Sequence, residues 1–304
     1  MSTLDLPEGV TGRTAMPTDA ETVLRLVEIA EQHYDGEVEV EMSDVAMDFN
    51  RVGFVLGRDC VLVFDGDEAV AWANVHKERA EADVRPSHQG RGIGSALLRW
   101  SEDHARERGG AKVTQTVTDN NADARSLFLA AGYAATETAW ILQIAFDDPP
   151  PRQPIPKGIS IRPYDPARDE EATYRLIEDA FDEWEDRSPN TIEEWRAYVT
   201  NHAAFAPRLS RLAFEGDELV GATMSFNYAS DVEGWVQQVA TKASHRLLGI
   251  ARALLYETFR AFYDRGKARC GLSTDSRTGA LALYEHVGMH VRRSYTKYSR
   301  SLTF

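Results

Sequence analysis

Apolar and polar positions change their period several times along the chain, and the changes come twice in the same order. A short extended run at 11–15 leads to an amphipathic stretch at 19–32 and a second at 43–50, both with helical spacing. Alternating apolar runs then flank Gly66-Asp67, which predicts a hairpin, because such a pair supplies the backbone that a tight turn requires. A third strand is expected at 78–84, a long amphipathic helix at 92–108, a strand at 112–117 and a helix at 122–131, with terminal strands to close the unit. The order repeats as a strand at 159–162, helices at 169–180 and 192–200, a hairpin at Gly216-Asp217, a strand at 234–241, a helix at 249–265, a strand at 268–274 and a helix at 278–287. Strands mixed with helices in this way predict an α/β (α+β) fold in layers.

The residues repeat as well as the pattern. Leu62-Val63-Phe64-Asp65-Gly66-Asp67-Glu68-Ala69-Val70 returns as Leu212-Ala213-Phe214-Glu215-Gly216-Asp217-Glu218-Leu219-Val220, and Gly92-Ile93-Gly94 followed by Leu97-Leu98 returns as Gly249-Ile250-Ala251 followed by Leu254-Leu255. Gly9 and Arg13 return as Gly158 and Arg162, and Gly132-Tyr133 as Gly288-Met289. Pairs that keep their order at nearly constant separation indicate a duplication. Between the copies lies Asp147-Asp148-Pro149-Pro150-Pro151-Arg152-Gln153-Pro154-Ile155-Pro156, whose prolines continue neither a helix nor a central strand. The expected organisation is a domain at 1–147, a linker at 148–157 and a domain at 158–304.

A chain of 304 residues with 43% hydrophobic positions is long enough for a core in each half. No apolar run approaches the ~18 residues of a membrane span, and Met1–Val10 lacks the basic-then-apolar pattern of a signal peptide. A cytoplasmic protein is expected. Cys60 and Cys270 lie far apart inside apolar runs and read as buried thiols, with no metal spacing around either. The net charge is −14, which argues against general nucleic-acid binding. All of that excess sits in residues 1–150, where 27 acidic residues face 13 basic ones.

The sharpest local motif is Gln89-Gly90-Arg91-Gly92-Ile93-Gly94, between an expected strand and an expected helix. Glycines there bare backbone N–H groups at a helix N-terminus, an arrangement that favours phosphate. A P-loop needs Lys-Ser or Lys-Thr after the last glycine, and Ser95-Ala96 follows instead. A dinucleotide fingerprint needs a wider glycine spacing. An ordinary tight turn remains the third reading.

The stretch Val84-Arg85-Pro86-Ser87-His88-Gln89-Gly90-Arg91-Gly92-Ile93-Gly94-Ser95-Ala96-Leu97-Leu98, with Asn120 to Ala124, Leu127-Phe128 and Gly132-Tyr133 downstream, resembles the signature of the acetyl-coenzyme A-dependent N-acetyltransferases (GNAT). Thr241 to Leu255, Asp275 to Glu285 and Gly288-Met289 resemble it a second time, with Leu247 where the family has glycine. The tandem is similar, more loosely, to the actinobacterial mycothiol synthase group. The resemblance implies two GNAT folds in series, each a mixed, mostly antiparallel sheet flanked by helices. It implies that acetyl-coenzyme A lies along Ala82 and Val84, with its pyrophosphate on Gln89, Gly90, Arg91, Gly92, Ile93, Gly94 and Ser95, near Asn120 and Phe128. In the second half the corresponding residues are Val239, Thr241, Arg246, Leu247, Leu248, Gly249, Ile250, Ala251, Arg252 and Ser276.

The amine would attack the thioester directly while both substrates are bound. A tyrosine at the position of Tyr284 would protonate the departing thiolate, and the matching residue of the first half is Phe128. Glu78 stands where many members place a base, and Glu233 is the nearest carboxylate in the second half. These differences favour the second half as catalytic and leave the first to bind coenzyme A or to serve structurally. His88 and His245, beside the turns, read as exposed loop residues. The acidic runs Asp35 to Glu41 and Asp182 to Asp186 fall where the fold lines its acceptor site, so a small cationic amine is the expected acceptor. Acetylation of a cysteinyl amino sugar, a coenzyme A-binding protein without turnover, and protein acetylation are the other readings. No nucleic acid, membrane or metal partner is expected, and the chain is expected to be a monomer or homodimer.

Overall fold

The computed structural model describes residues 4–182, 189–228 and 232–302, and these fall into two compact units. The first comprises Met1–Ala139 together with Arg293–Phe304, and the second comprises Trp140–Arg292.

The first unit begins with β1 (Thr11–Thr14), α1 (Ala20–Tyr34), α2 (Met42–Phe49) and the single turn α3 (Leu56–Asp59). The hairpin of β2 (Cys60–Asp65) and β3 (Glu68–His76) follows, then β4 (Arg79–Val84), α4 (Ile93–Glu107), β5 (Lys112–Thr118) and α5 (Ala122–Ala130). The turn from β1 into α1 is closed by Asp19, which accepts two hydrogen bonds from Arg13 at 2.6 and 2.7 Å and one from the Met16 N–H at 2.7 Å. Alternation along β3 sorts its side chains between two faces. Ala71, Ala73 and Val75 join Ile93, Leu97 and Leu98 of α4 and Phe128 of α5 in one core. Trp72 points to the other face and packs with Val23 and Leu26 of α1 and Val45 of α2.

The second unit repeats this with β7 (Ile159–Pro163), α6 (Glu170–Phe181), α7 (Ile192–Tyr198), β8 (Arg211–Glu215), β9 (Glu218–Phe226), β10 (Glu233–Thr241), α8 (Ile250–Tyr263), β11 (Arg269–Asp275) and α9 (Leu281–His286). Arg162 and Asp169 rebuild the Arg13–Asp19 pair at 2.6 and 2.7 Å. The acceptor-side run expected at Asp182 to Asp186 lies, from Glu183 through Trp184 onward, outside the described residues.

The units do not divide at the proline-rich segment. Two strands of 12 residues each, β6 (Ala134–Ala145) and β12 (His290–Ser301), carry the division at 139/140 and 292/293 instead. The first unit's sheet therefore runs β1-β2-β3-β4-β5-β12. Its strand beside β5 comes from the far end of the sequence, antiparallel from Tyr295↔Thr118 to Ser301↔Lys112. The second unit's sheet runs β6-β11-β10-β9-β8-β7. The proline-rich segment is docked rather than free: Pro150 O accepts from Arg260 at 2.7 Å and Gln153 Oε1 from Arg252 at 3.2 Å, both on α8.

Candidate active site

In the first unit, β4 and β5 pair in parallel only at Arg79↔Thr114 and Ala80↔Gln115. Beyond that point the strands diverge and open a cleft between residues 81–84 and 116–118. The glycine turn stands at the end of β4. Gly90 has φ 72° and Gly92 φ 85°, and an added Cβ at Gly90 would have no atom within 4 Å. Gly92 is the N-cap of α4, and no side chain caps the helix, so its first N–H groups are left for an anion. Ile93 is fully buried and anchors the turn from below. The turn fits a pyrophosphate on backbone atoms alone.

Beside the cleft lies a cavity of about 330 Å³, walled by α1, α2, β4, β5 and α5 and also lined by Trp72 of β3 and Tyr295 of β12. Its charged lining is acidic: Glu31, Asp35, Asp44, Asp48, Glu81 and Asp83, against Arg79. Asp83 precedes Val84 on β4 and accepts from the Trp72 indole at 3.0 Å. Burial pushes its carboxyl up to about 7, and the charges of Glu81 and Glu31 add to this. Burial likewise raises Asp48 to about 7, against the neighbouring Arg51. Glu81 is held below its usual range: burial opposes this, but Arg79 at 2.5 Å, Arg51 and the Asn74 amide outweigh it. Glu31 accepts from the N–H groups of Glu39 and Val40 at 2.7 and 3.0 Å and so fixes the acidic run. Asp35 accepts from Thr118 at 2.9 Å and Asn120 at 3.1 Å. Arg293 bonds the Glu37 carbonyl at 2.8 Å and lies 3.5 Å from Glu39.

The corresponding face of the second unit is built differently, position by position. The pairs Trp72↔Asp83 and Asn74↔Glu81 of β3 and β4 become Ala222↔Ala240 and Met224↔Gln238 of β9 and β10. Trp195 of α7, fully buried, donates to Gln238 at 3.0 Å and packs with Ala222, Met224 and Ala240. Where one unit holds carboxylates around a cavity, the other holds an indole in an apolar core.

In each unit most of the residues expected to meet coenzyme A lie at the end of a strand, in the turn after it and at the start of the next helix. Ala82 lines the cavity, and Gln89 Nε2 lies 3.4 Å from Val84 O. Arg91 bonds Asp65 at 2.9 Å, and Gly94 lets α4 approach Leu127 of α5. Asn120 faces Asp35, while its neighbour Asn121 caps α5 by accepting from Ala124 N at 2.9 Å. Phe128 lines the cavity and leans on Tyr133 and Tyr298. Val239 and Thr241 lie on β10, and Arg246 bonds the Thr241 carbonyl. Gly249 caps α8 at φ 84°, Leu247 is forced to φ 64° with its side chain fully in solvent, and Ile250 is buried. Leu248 is exposed, Ala251 and Arg252 open α8, and Ser276 follows β11.

The expected catalytic carboxylates are occupied elsewhere. Glu78 sits in the turn before β4 and accepts from the Ala111 and Lys112 N–H groups at 3.0 and 3.3 Å. Glu233, at the start of β10, lies 3.4 Å from Arg269, 3.5 Å from Arg292 and 3.4 Å from Gln143 Nε2. Tyr284 is buried in the core beside α8, and burial raises its hydroxyl to about 12. His88 and His245 face Asp65 and Glu215 at 3.3 and 3.1 Å. Among the described residues, no helix is long and apolar enough to cross a membrane, and no group of three His, Cys, Asp or Glu side chains is arranged to hold a metal.

Comparison with known proteins agrees with this architecture. The Acetyltransferase (GNAT) family profile matches twice, over residues 24–133 and 170–289. A mycothiol acetyltransferase of Thermobispora bispora is 28% identical over 90% of this chain and 92% of its own. A GCN5-related N-acetyltransferase of Sphaerobacter thermophilus superposes with a TM-score of 0.82 at 33% identity over 98% of both chains. A tandem GNAT protein from the clavulanic acid biosynthesis pathway shares the fold at 16% identity, with a TM-score of 0.75 over 97% of this chain. With two profile matches, a parallel strand pair in each unit, β4 with β5 and β10 with β11, and two glycine-capped helices, the chain belongs to the GNAT acetyltransferase family, as an acyltransferase built from two GNAT folds in tandem.

Proposed function

We propose that the first unit transfers an acetyl group from acetyl-coenzyme A to the primary amine of a small cationic molecule, with both substrates bound at once. The carboxylate cavity beside the β4–β5 cleft is the observation that carries this reading. When bound, the acyl-coenzyme A supplies an electrophilic thioester carbonyl at the cleft. Gly90, Gly92 and the start of α4 orient its pyrophosphate, and the free edge of β4 at Ala82 and Val84 takes the pantetheine arm. Asp48 and Glu81 attract the ammonium group and the rest of a cationic acceptor. Asp83, near 7, takes the proton that the ammonium must lose before its lone pair can attack. A base with that affinity suits neutral pH. The second unit, whose corresponding face is filled by Trp195, holds coenzyme A or serves structurally. The preference for the second half is thus reversed, because the face of the second unit that corresponds to the acidic cavity holds Trp195 against Gln238.

The test is release of free thiol from acetyl-coenzyme A against a panel of mono-, di- and polyamines, with wild type and Asp83→Asn. Turnover that rises with acceptor charge, falls with salt and is lost in Asp83→Asn supports the reading. Equal turnover of neutral and cationic amines, without salt dependence, sinks it.

The Thermobispora relative supports a second reading, acetylation of the amine of a cysteinyl amino sugar. Including such a conjugate in the panel separates the two, since it must then outrun simple amines of equal charge.

A further inference from the structure

With Phe128 at the family's tyrosine position, the first unit lacks the usual donor for the leaving group. The departing sulfur would still gain from one. As the C–N bond forms, the C–S bond breaks and its electron pair moves to sulfur. An alkyl thiol has a pKa of ~8.5 by analogy with cysteine, so a positioned acid accelerates its departure.

Tyr34, the last residue of α1, lines the same cavity as Asp83 and Phe128. Phe128 belongs to the core on the α4–α5 side of the sheet, whereas α1 packs on the opposite, Trp72 side. The Tyr34 hydroxyl accepts a hydrogen bond from Gln89 Nε2. That nitrogen also lies 3.4 Å from Val84 O. The hydroxyl is therefore tied through one residue to the end of β4, where the cleft is open. Because its oxygen accepts, its own proton stays free to donate. Among the other neighbours bearing on it, the Asn121 amide favours the charged oxygen, and Asp83 and Asp123 oppose it. Burial raises the phenol above its ordinary value, which keeps it protonated at neutral pH.

We infer that Tyr34 is the catalytic acid of the first unit, delivering its proton to the departing sulfur from the face opposite Phe128. The inference rests on the reading of the first unit as the catalytic one. Gln89 and Asn121 then hold the phenolate oxygen. Asp83, which has taken the ammonium proton in the same cavity, returns it to Tyr34, and the second proton, lost from nitrogen as the amide forms, leaves to water, so both groups end as they began.

The experiment compares wild type, Tyr34→Phe, Tyr34→Phe with Phe128→Tyr, and Asp83→Asn. Each is assayed for acetyl transfer, for the thiol pKa of bound free coenzyme A by thiolate absorbance, and for melting temperature. Tyr34→Phe is expected to lower kcat about a hundredfold or more, with little change in KM for acetyl-coenzyme A, and to raise the pKa of the bound thiol because a donor to the thiolate is gone. Adding Phe128→Tyr is expected to restore at least ~10-fold of kcat, part of what a positioned acid contributes. Should Tyr34→Phe prove unstable, fluorotyrosine placed at position 34 preserves shape, and it must move the alkaline limb of kcat downward. Full activity in Tyr34→Phe beside a dead Asp83→Asn overturns this inference alone. Full activity in both overturns the reading of the unit as well.

Discussion

Trp72 and Asp83 face one another across β3 and β4, and the indole N–H reaches the carboxylate at 3.0 Å. That bond favours the charged form, while burial raises the carboxyl to about 7. Activity should therefore rise through pH 7 as Asp83 loses its proton. Asp83→Asn should remove the limb and lower kcat about a hundredfold or more. Trp72→Phe should move the limb upward by roughly one unit, since a donor to the charged form is lost. For stability the sign is opposite to that of an ordinary salt-bridged carboxylate. The folded value lies above the unfolded ~3.9, so the contribution is present below that pH and is lost as pH rises to 7. Asp83→Asn should melt higher than wild type at pH 8 and no higher at pH 4, as calorimetry can show.

Asp48 and Glu81 sit in the same cavity with Arg51 and Arg79 beside them. Neutralising Asp48→Asn or Glu81→Gln should raise KM for a diamine at least ~10-fold, about 1.4 kcal/mol of lost attraction. The KM for acetyl-coenzyme A should stay within about twofold. The salt dependence of acceptor KM should weaken in parallel, and initial rates in a salt series test both.

The two glycine turns allow the halves to be separated. Gly92 and Gly249 both adopt left-handed backbone at the start of a helix. Valine at either place is strained. Gly92→Val should abolish turnover, whereas Gly249→Val and Tyr284→Phe should leave most of it. Loss of turnover in the second pair with retention in the first would reassign catalysis to the second unit.

Leu247 carries φ 64° with its side chain fully exposed. Left-handed backbone costs a residue with a Cβ about 1–2 kcal/mol, and no packing offsets it here. Leu247→Gly should raise stability by up to ~1 kcal/mol, after the greater unfolded-state freedom of glycine is deducted. Denaturant midpoints with an unchanged m-value would establish it.

The doubled architecture was legible in the sequence because glycine turns, caps and hairpins are local chemistry. The glycine turn was legible for the same reason. The residues proposed here as acid and base were not. In Arg79-Ala80-Glu81-Ala82-Asp83-Val84 the alternation puts Glu81 and Asp83 on one face, but which face carries α1 and α2 is a tertiary fact. A line-by-line comparison of the copies, Asp83 against Ala240 and Glu81 against Gln238, would have flagged the polar face. Glu78 drew attention by its place in the motif, yet its carboxylate caps the start of β5. The boundary was misread because prolines mark where a chain bends, and long-range pairing, here β5 with β12, decides what belongs together.

That pairing has a consequence for how the protein is made. Tyr298 and Leu302 are buried in the first unit's core, and their segment also completes its sheet. The first unit is thus synthesised first but completed last. At ~5–20 residues per second, its earlier elements wait roughly 8–30 s for the closing strand. Throughout that interval the outer edge of β5 is an unpaired template, open to any other extended chain. A ribosome stalled anywhere in the second half leaves that edge exposed.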